Sequence, residues 1–120
     1  DPVLEAGPEG YDAAAISSAS VVKYDGTYYM FYVGAEDWMD IGGGARSPEH
    51  QTLNLATSST GISWTKHPDN PLAIHLTDEK EVDAVAAQVV GDSIHLWITD
   101  NYAEPGDPAR AAVGYYIFRP

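Results

Sequence analysis

The acidic and aromatic residues of this chain fall into separate groups that could carry one kind of chemistry. The first is Tyr11 and Asp12, and the second is Glu36, Asp37, Trp38, Asp40 and Arg46. The third is Glu81 and Asp83, followed by Asp100, Asn101, Tyr102, Glu104 and Asp107. Two carboxylates flanking a glycosidic bond can cleave it when one is held protonated as the acid and the other serves as base or nucleophile. Aromatic rings beside them supply platforms for the apolar faces of sugars. The plainer alternative is that acidic loops are solvated and keep a protein soluble. Deciding between the two depends on the elements that carry these groups.

Composition narrows the partners. Six basic against eighteen acidic residues give a net charge of -12, which repels nucleic acid and anionic membrane and favours neutral or cationic partners. The absence of cysteine excludes disulfides, zinc-thiolate sites and thiol catalysis, yet leaves the compartment open, secreted or cytoplasmic. His50, His67, His75 and His95 lack paired metal-ligand spacing, so neither a metal nor another cofactor is expected. No stretch is apolar for the length of a membrane helix, and the first residues lack the charged-then-apolar pattern of an export signal. With 120 residues the chain is expected to form one domain.

Turn signals divide the chain. Asp25-Gly26, Thr60-Gly61, Asn70-Pro71, Gly91-Asp92 and Pro105-Gly106 separate short runs rich in Val, Ile, Tyr and Trp, which read as strands. The expected strands are 20–24, 27–34, 53–58 and 62–67, then 88–90, 93–99 and 111–118. No window of similar length has the spacing of an amphipathic helix. The stretch "IGGGARSP", 41–48, reads as a loop tip, with anion binding through its amides and Arg46 as a second reading.

Sliding the chain against itself exposes a repeat. At an offset of about 68, "DPVL" at 1–4 falls on "NPLA" at 70–73, "SVV" at 20–22 on "QVV" at 88–90, and "YYMFY" at 28–32 on "IHLWI" at 94–98. Residues 1–68 and 69–120 are therefore expected to be two copies of one four-stranded unit, the second lacking its outer strand. In 27–34, Tyr28, Met30 and Tyr32 point one way and Tyr29, Phe31 and Val33 the other, so both faces of that strand need cover. Strand 62–67 is polar around Trp64, as suits an outer edge. The approaches to the first strands, "AAAISSAS" and "AVAAQ", consist of small residues suited to crowding at an axis. Small inner strands, two-sided apolar middle strands and polar outer strands describe blades of an all-β propeller. A seven-stranded β-sandwich is the alternative.

These stretches resemble the five-bladed propellers of glycoside hydrolases and glycoside phosphorylases, the group of arabinanases, β-xylosidases, levanases and mannosyl-phosphorylases. Blades there often read N-P-V-L, then W-D and P-x-V-V, then D-G-x-Y-Y-M-x-Y-x-G, then I-G-x-A-x-S-x-D-G-x-x-W. The matching residues are Asp1-Pro2-Val3-Leu4, Tyr11-Asp12, Ser20-Val21-Val22, Asp25 through Gly34, and Leu55-Ala56-Thr57-Ser58 through Trp64. The resemblance spans nearly all of 1–76 and, with fewer matches, 77–118. Tyr11 stands where the family often has Trp, Ala19 where it has Pro, and Thr60 where its turn has Asp. The last change puts the side-chain hydrogen bonds of that turn in doubt. Family members carry five blades, and this chain carries fewer than two.

The resemblance implies that the connector into each inner strand and the hairpin between the next two emerge on a sugar-binding face. Asp12 matches the carboxylate of the W-D motif, so it is expected to act as base or nucleophile, with Glu81 or Asp83 of the second unit, or an acid of a neighbouring chain, as proton donor. Capping of backbone amides is the alternative role for Asp12. Tyr11, Glu36, Asp37, Trp38, Asp40, Arg46, Asp100 and Tyr102 are expected to line the binding rim. Activity could be hydrolytic, or the rim could hold a glycan without turnover. In a third reading, open blade faces assemble the chain into a homo-oligomer, or into part of a longer propeller.

Overall fold

The computed structural model describes residues 1–73, 80–102 and 110–120, with 80–81, 100–102 and 110–111 described by their backbone. It contains two antiparallel meanders. The first comprises β1 (Ala15–Tyr24), β2 (Thr27–Gly42), β3 (Ala45–Ser58) and β4 (Thr65–Lys66), in that order across the sheet. The second comprises β5 (Lys80–Val90), β6 (Ser93–Tyr102) and β7 (Arg110–Phe118), again in order. The described fold is thus all-β, with sheets of four and three strands.

Local chemistry explains the hairpins. Asp25 and Gly26 both have positive φ, 46° and 82°, which matches the right-handed twist of the strands they join. The aromatic and β-branched residues of β2 suit a pleated surface buried on both sides. Phe31, Val33, Leu53 and Leu55 of the first sheet share one core with Val82, Val85, Ile94, Leu96 and Ile98 of the second. Phe118 closes that core edge-on to Phe31, with ring centroids 5.4 Å apart. Each such side chain contributes about 1.5–3 kcal/mol by leaving water. The opposite face of β2, at Met30 and Tyr32, is covered by Leu4, Tyr11, Ile16 and Trp64. The two-sided demand read from 27–34 is therefore met by the second sheet on one side and by the chain's own first residues and Trp64 on the other.

The small residues of β1 have a definite task. Val85 N donates to Ser18 Oγ at 3.1 Å and Ala87 N to Ser20 Oγ at 2.9 Å. β5 is an edge strand of its sheet, so these hydroxyls satisfy donors that would otherwise remain open. The first strands of the two sheets consequently run beside one another.

Several boundaries differ from expectation. The strand expected over 20–24 begins at Ala15, and that expected over 88–90 begins at Lys80, because small residues with little β propensity are held by pairing to apolar middle strands. The segment between 34 and 53 is a paired ribbon instead of a loop, with Asp37 opposite Glu49, Trp38 opposite Pro48 and Asp40 opposite Arg46. Backbone pairing carries the ladder past the apolar run, and Gly42, Gly43 and Gly44 turn it back with positive φ. The edge strand expected over 62–67 is reduced to Thr65–Lys66. Residues 58–63 instead fold into a turn built on side chains. Ser58 Oγ accepts from Thr60 N and Gly61 N. Thr60 Oγ1 accepts from Ile62 N and Ser63 N, so Thr60 supplies the hydrogen bonds that its replacement of Asp had put in doubt.

Candidate functional site

Asp12 is held in the connector leading into β1, and it is 2 % exposed. Its Oδ1 accepts from Gly7 N at 3.0 Å. Its Oδ2 accepts from the Tyr32 hydroxyl at 3.0 Å and lies 2.7 Å from Lys66 Nζ. A buried carboxylate requires such partners, since its desolvation is otherwise uncompensated. Burial first, and then the adjacent Asp12, push the Tyr32 phenol well above the ordinary tyrosine range. Both carboxylate oxygens are engaged, and the group ties together the connector, the middle strand and the outer strand.

The connector lies against β2 at a glycine. A Cβ on Gly34 would meet Asp12 Cβ at 2.7 Å, Asn54 Nδ2 at 2.8 Å and Tyr11 O at 2.9 Å. Asn54 is fully buried beside it, with Oδ1 lacking a hydrogen-bond partner among the described residues. Tyr11 packs on the Met30 and Tyr32 face, and its hydroxyl accepts from Asn70 Nδ2 at 3.4 Å. Asn70 also bonds the Leu55 N–H and C=O through its amide, at 2.9 Å each. Tyr11 is thus a packing residue at the base of the site.

The ribbon of β2 and β3 carries the second group. Alternation along the strands places Trp38, Asp40, Arg46 and Pro48 on one face, since Trp38 lies opposite Pro48 and Asp40 opposite Arg46. All but Pro48 are exposed, Trp38 at 44 %. An indole beside a carboxylate and a guanidinium offers a stacking plane with hydrogen-bonding groups at its side. Glu36 is also exposed and of the same strand parity. Asp37 points to the other face, where its Oδ2 lies 3.0 Å from His50 Nδ1. The tip at 41–48 sets Arg46 across from Asp40, which opposes its use as an anion cradle.

The third group adjoins the ribbon's base. Gln51 Nε2 donates to Val82 O at 2.9 Å, so the beginning of β5 is fixed to β3 where the ribbon leaves the sheet. Asp83 follows at a bulge in the pairing of β5 with β6, and it is exposed. Glu81 lies opposite Asn101, Val82 opposite Asp100 and Lys80 opposite Tyr102. These positions continue the two strands beyond the bulge at the same end of the molecule. Glu104, Asp107 and His75 lie outside the described residues.

The expected groups therefore gather at one end of the two sheets, with different accessibility. Trp38, Asp40, Arg46 and Asp83 face water, whereas Asp12 is enclosed. Lys66, Tyr32, Gly34 and Gln51 are the site residues that the sequence reading missed. Gly34 had a signal, a glycine inside a strand pattern, which marks close approach of another segment. Lys66 had none, because a lysine in a polar edge strand reads as solvent-facing. Comparison of the chain with protein-family models, with curated proteins and with solved structures finds no match.

Proposed function

We propose that this chain forms two adjacent blades of a propeller and binds carbohydrate at the end where the ribbon emerges. The observation that carries the reading is the single face of the ribbon bearing Trp38, Asp40 and Arg46. A sugar ring stacked on the indole would find hydrogen-bond acceptors and donors on the neighbouring pair, and the net charge of -12 favours a neutral ligand over an anionic one. The blade reading draws support from the like order of strands in both sheets and from the contact between β1 and β5. It draws further support from the resemblance to glycosidase propellers.

Binding without turnover fits the site better than hydrolysis. Cleavage requires two carboxylates that can reach one bond, and Asp12 has both oxygens occupied by Gly7, Tyr32 and Lys66. Asp12 then acts by fixing the connector beneath the ribbon. A glycan array followed by titration calorimetry tests the proposal, with aryl-glycosides and oligosaccharides screened in parallel for turnover. Affinity lost in Trp38→Ala, without turnover, is the expected result. Turnover abolished by Asp12→Asn or Asp83→Asn in a folded protein would replace the binding reading with a hydrolytic one.

A further inference from the structure

The second sheet presents an apolar outer face. Trp97 is 38 % exposed, Tyr115 52 % and Ile117 44 %. His95, Trp97 and Tyr115 form a ring cluster with centroids 5.5–6.3 Å apart, and Tyr115 Oη lies 2.6 Å from His95 Nδ1. None of these residues is Asp, Glu, Lys or Arg, in a chain with a net charge of -12.

Internal repetition shows what kind of surface covers such a face. β2 and β6 each open directly after a two-residue turn, at Thr27 and Ser93, which sets the correspondence between the sheets. His95 and Trp97 then match Tyr29 and Phe31, and their cross-strand neighbours Ile117 and Tyr115 match Thr57 and Leu55. In the first sheet Phe31 and Leu55 of that face are buried in one cluster with Val82, Leu96 and Ile98 of the second, and Tyr29 and Leu72 pack against it. The covering residues have counterparts too. Val82, Leu96 and Ile98 match Ile16, Met30 and Tyr32, and Leu4, Tyr11 and Trp64 already pack on Met30 and Tyr32. Val21 lies beside Met30 as Ala87 lies beside Leu96, but Val21 is 48 % exposed whereas Ala87 is packed.

We propose that the Trp97 face docks, head to tail, on the exposed Val21 of a second copy of this chain, beside the part of that face that Leu4, Tyr11 and Trp64 already cover. The docking extends between chains the sheet-on-sheet contact already made within one. The inference concerns assembly and stands apart from the glycan reading. Such an interface joins unlike surfaces, so it generates a ring if the rotation closes and a filament if it does not. Self-repulsion between copies opposes it, and salt screens that repulsion.

Sedimentation velocity at tens of micromolar chain, in low and high sodium chloride, tests the proposal with the whole protein. Species larger than the monomer are expected, increasing with salt. Trp97→Glu and Val21→Glu are each expected to be monomeric, with unchanged far-ultraviolet circular dichroism, and Ile117→Lys serves as the face variant if Trp97→Glu fails to fold. Mixing a Trp97→Glu chain with a Val21→Glu chain restores one intact interface, so a one-to-one dimer is expected. A monomeric wild type at every salt concentration would overturn the proposal. So would persistent association of Val21→Glu, which would mean that two Trp97 faces pair with each other, or a mixture that stays monomeric.

Discussion

The Lys66 ammonium lies 2.7 Å from the Asp12 carboxylate, which is almost wholly removed from water. The pair joins the shortest strand of the first sheet to the connector that precedes its first strand. Removing one partner leaves the other charge buried and uncompensated. Lys66→Ala is therefore expected to lower stability by about 3 kcal/mol, read from urea unfolding. Asp12→Asn combined with Lys66→Met should recover part of that loss, and a double variant no better than Lys66→Ala would show that packing of the lysine stem dominates.

Gly34→Ala tests the close approach of the connector. The added methyl would meet Asp12, Asn54 and the Tyr11 carbonyl at 2.7–2.9 Å, distances at which something must shift. Overpacking of this kind costs about 1–3 kcal/mol. A fall in the urea midpoint at unchanged slope is expected, and a variant as stable as the parent would mean that the connector yields without cost.

Tyr32 makes a prediction in pH. Its phenol is held above the ordinary tyrosine range by burial and by Asp12, so the folded chain retains a proton that the unfolded chain releases near pH 10. The stabilisation is complete below that pH and falls as pH rises beyond it, by up to about 1.4 kcal/mol per pH unit for one proton. Tyr32→Phe should be less stable at neutral pH, having lost a hydrogen bond to a charged group, and should show a shallower alkaline decline. Equal alkaline slopes in the two proteins would assign the decline to other tyrosines.

The sheets were legible in the sequence where side-chain pattern decides structure. Alternation in 27–34 places Phe31 and Val33 in one core and Met30 and Tyr32 in another, and among the described residues the second sheet has three strands. The ribbon was not legible, because Glu36 through His50 lacks apolar alternation and its ladder is maintained by backbone pairing and a glycine tip. The groups Trp38, Asp40 and Arg46 were identifiable by type, but their common face depends on a register that composition does not reveal. The enclosure of Asp12 depends on Lys66, which comes from the far edge of the sheet, and short-range pattern cannot disclose a partner so distant in sequence.

The most direct test of the glycan reading is calorimetric titration of the chain and of Trp38→Ala with a saccharide selected from an array. Trp38 is exposed on the ribbon, so its removal should leave stability within about 0.5 kcal/mol of the parent. Affinity should fall at least about tenfold, or about 1.4 kcal/mol. Saccharide binding of equal strength in the two proteins, or its absence in the parent at millimolar ligand, would contradict the account.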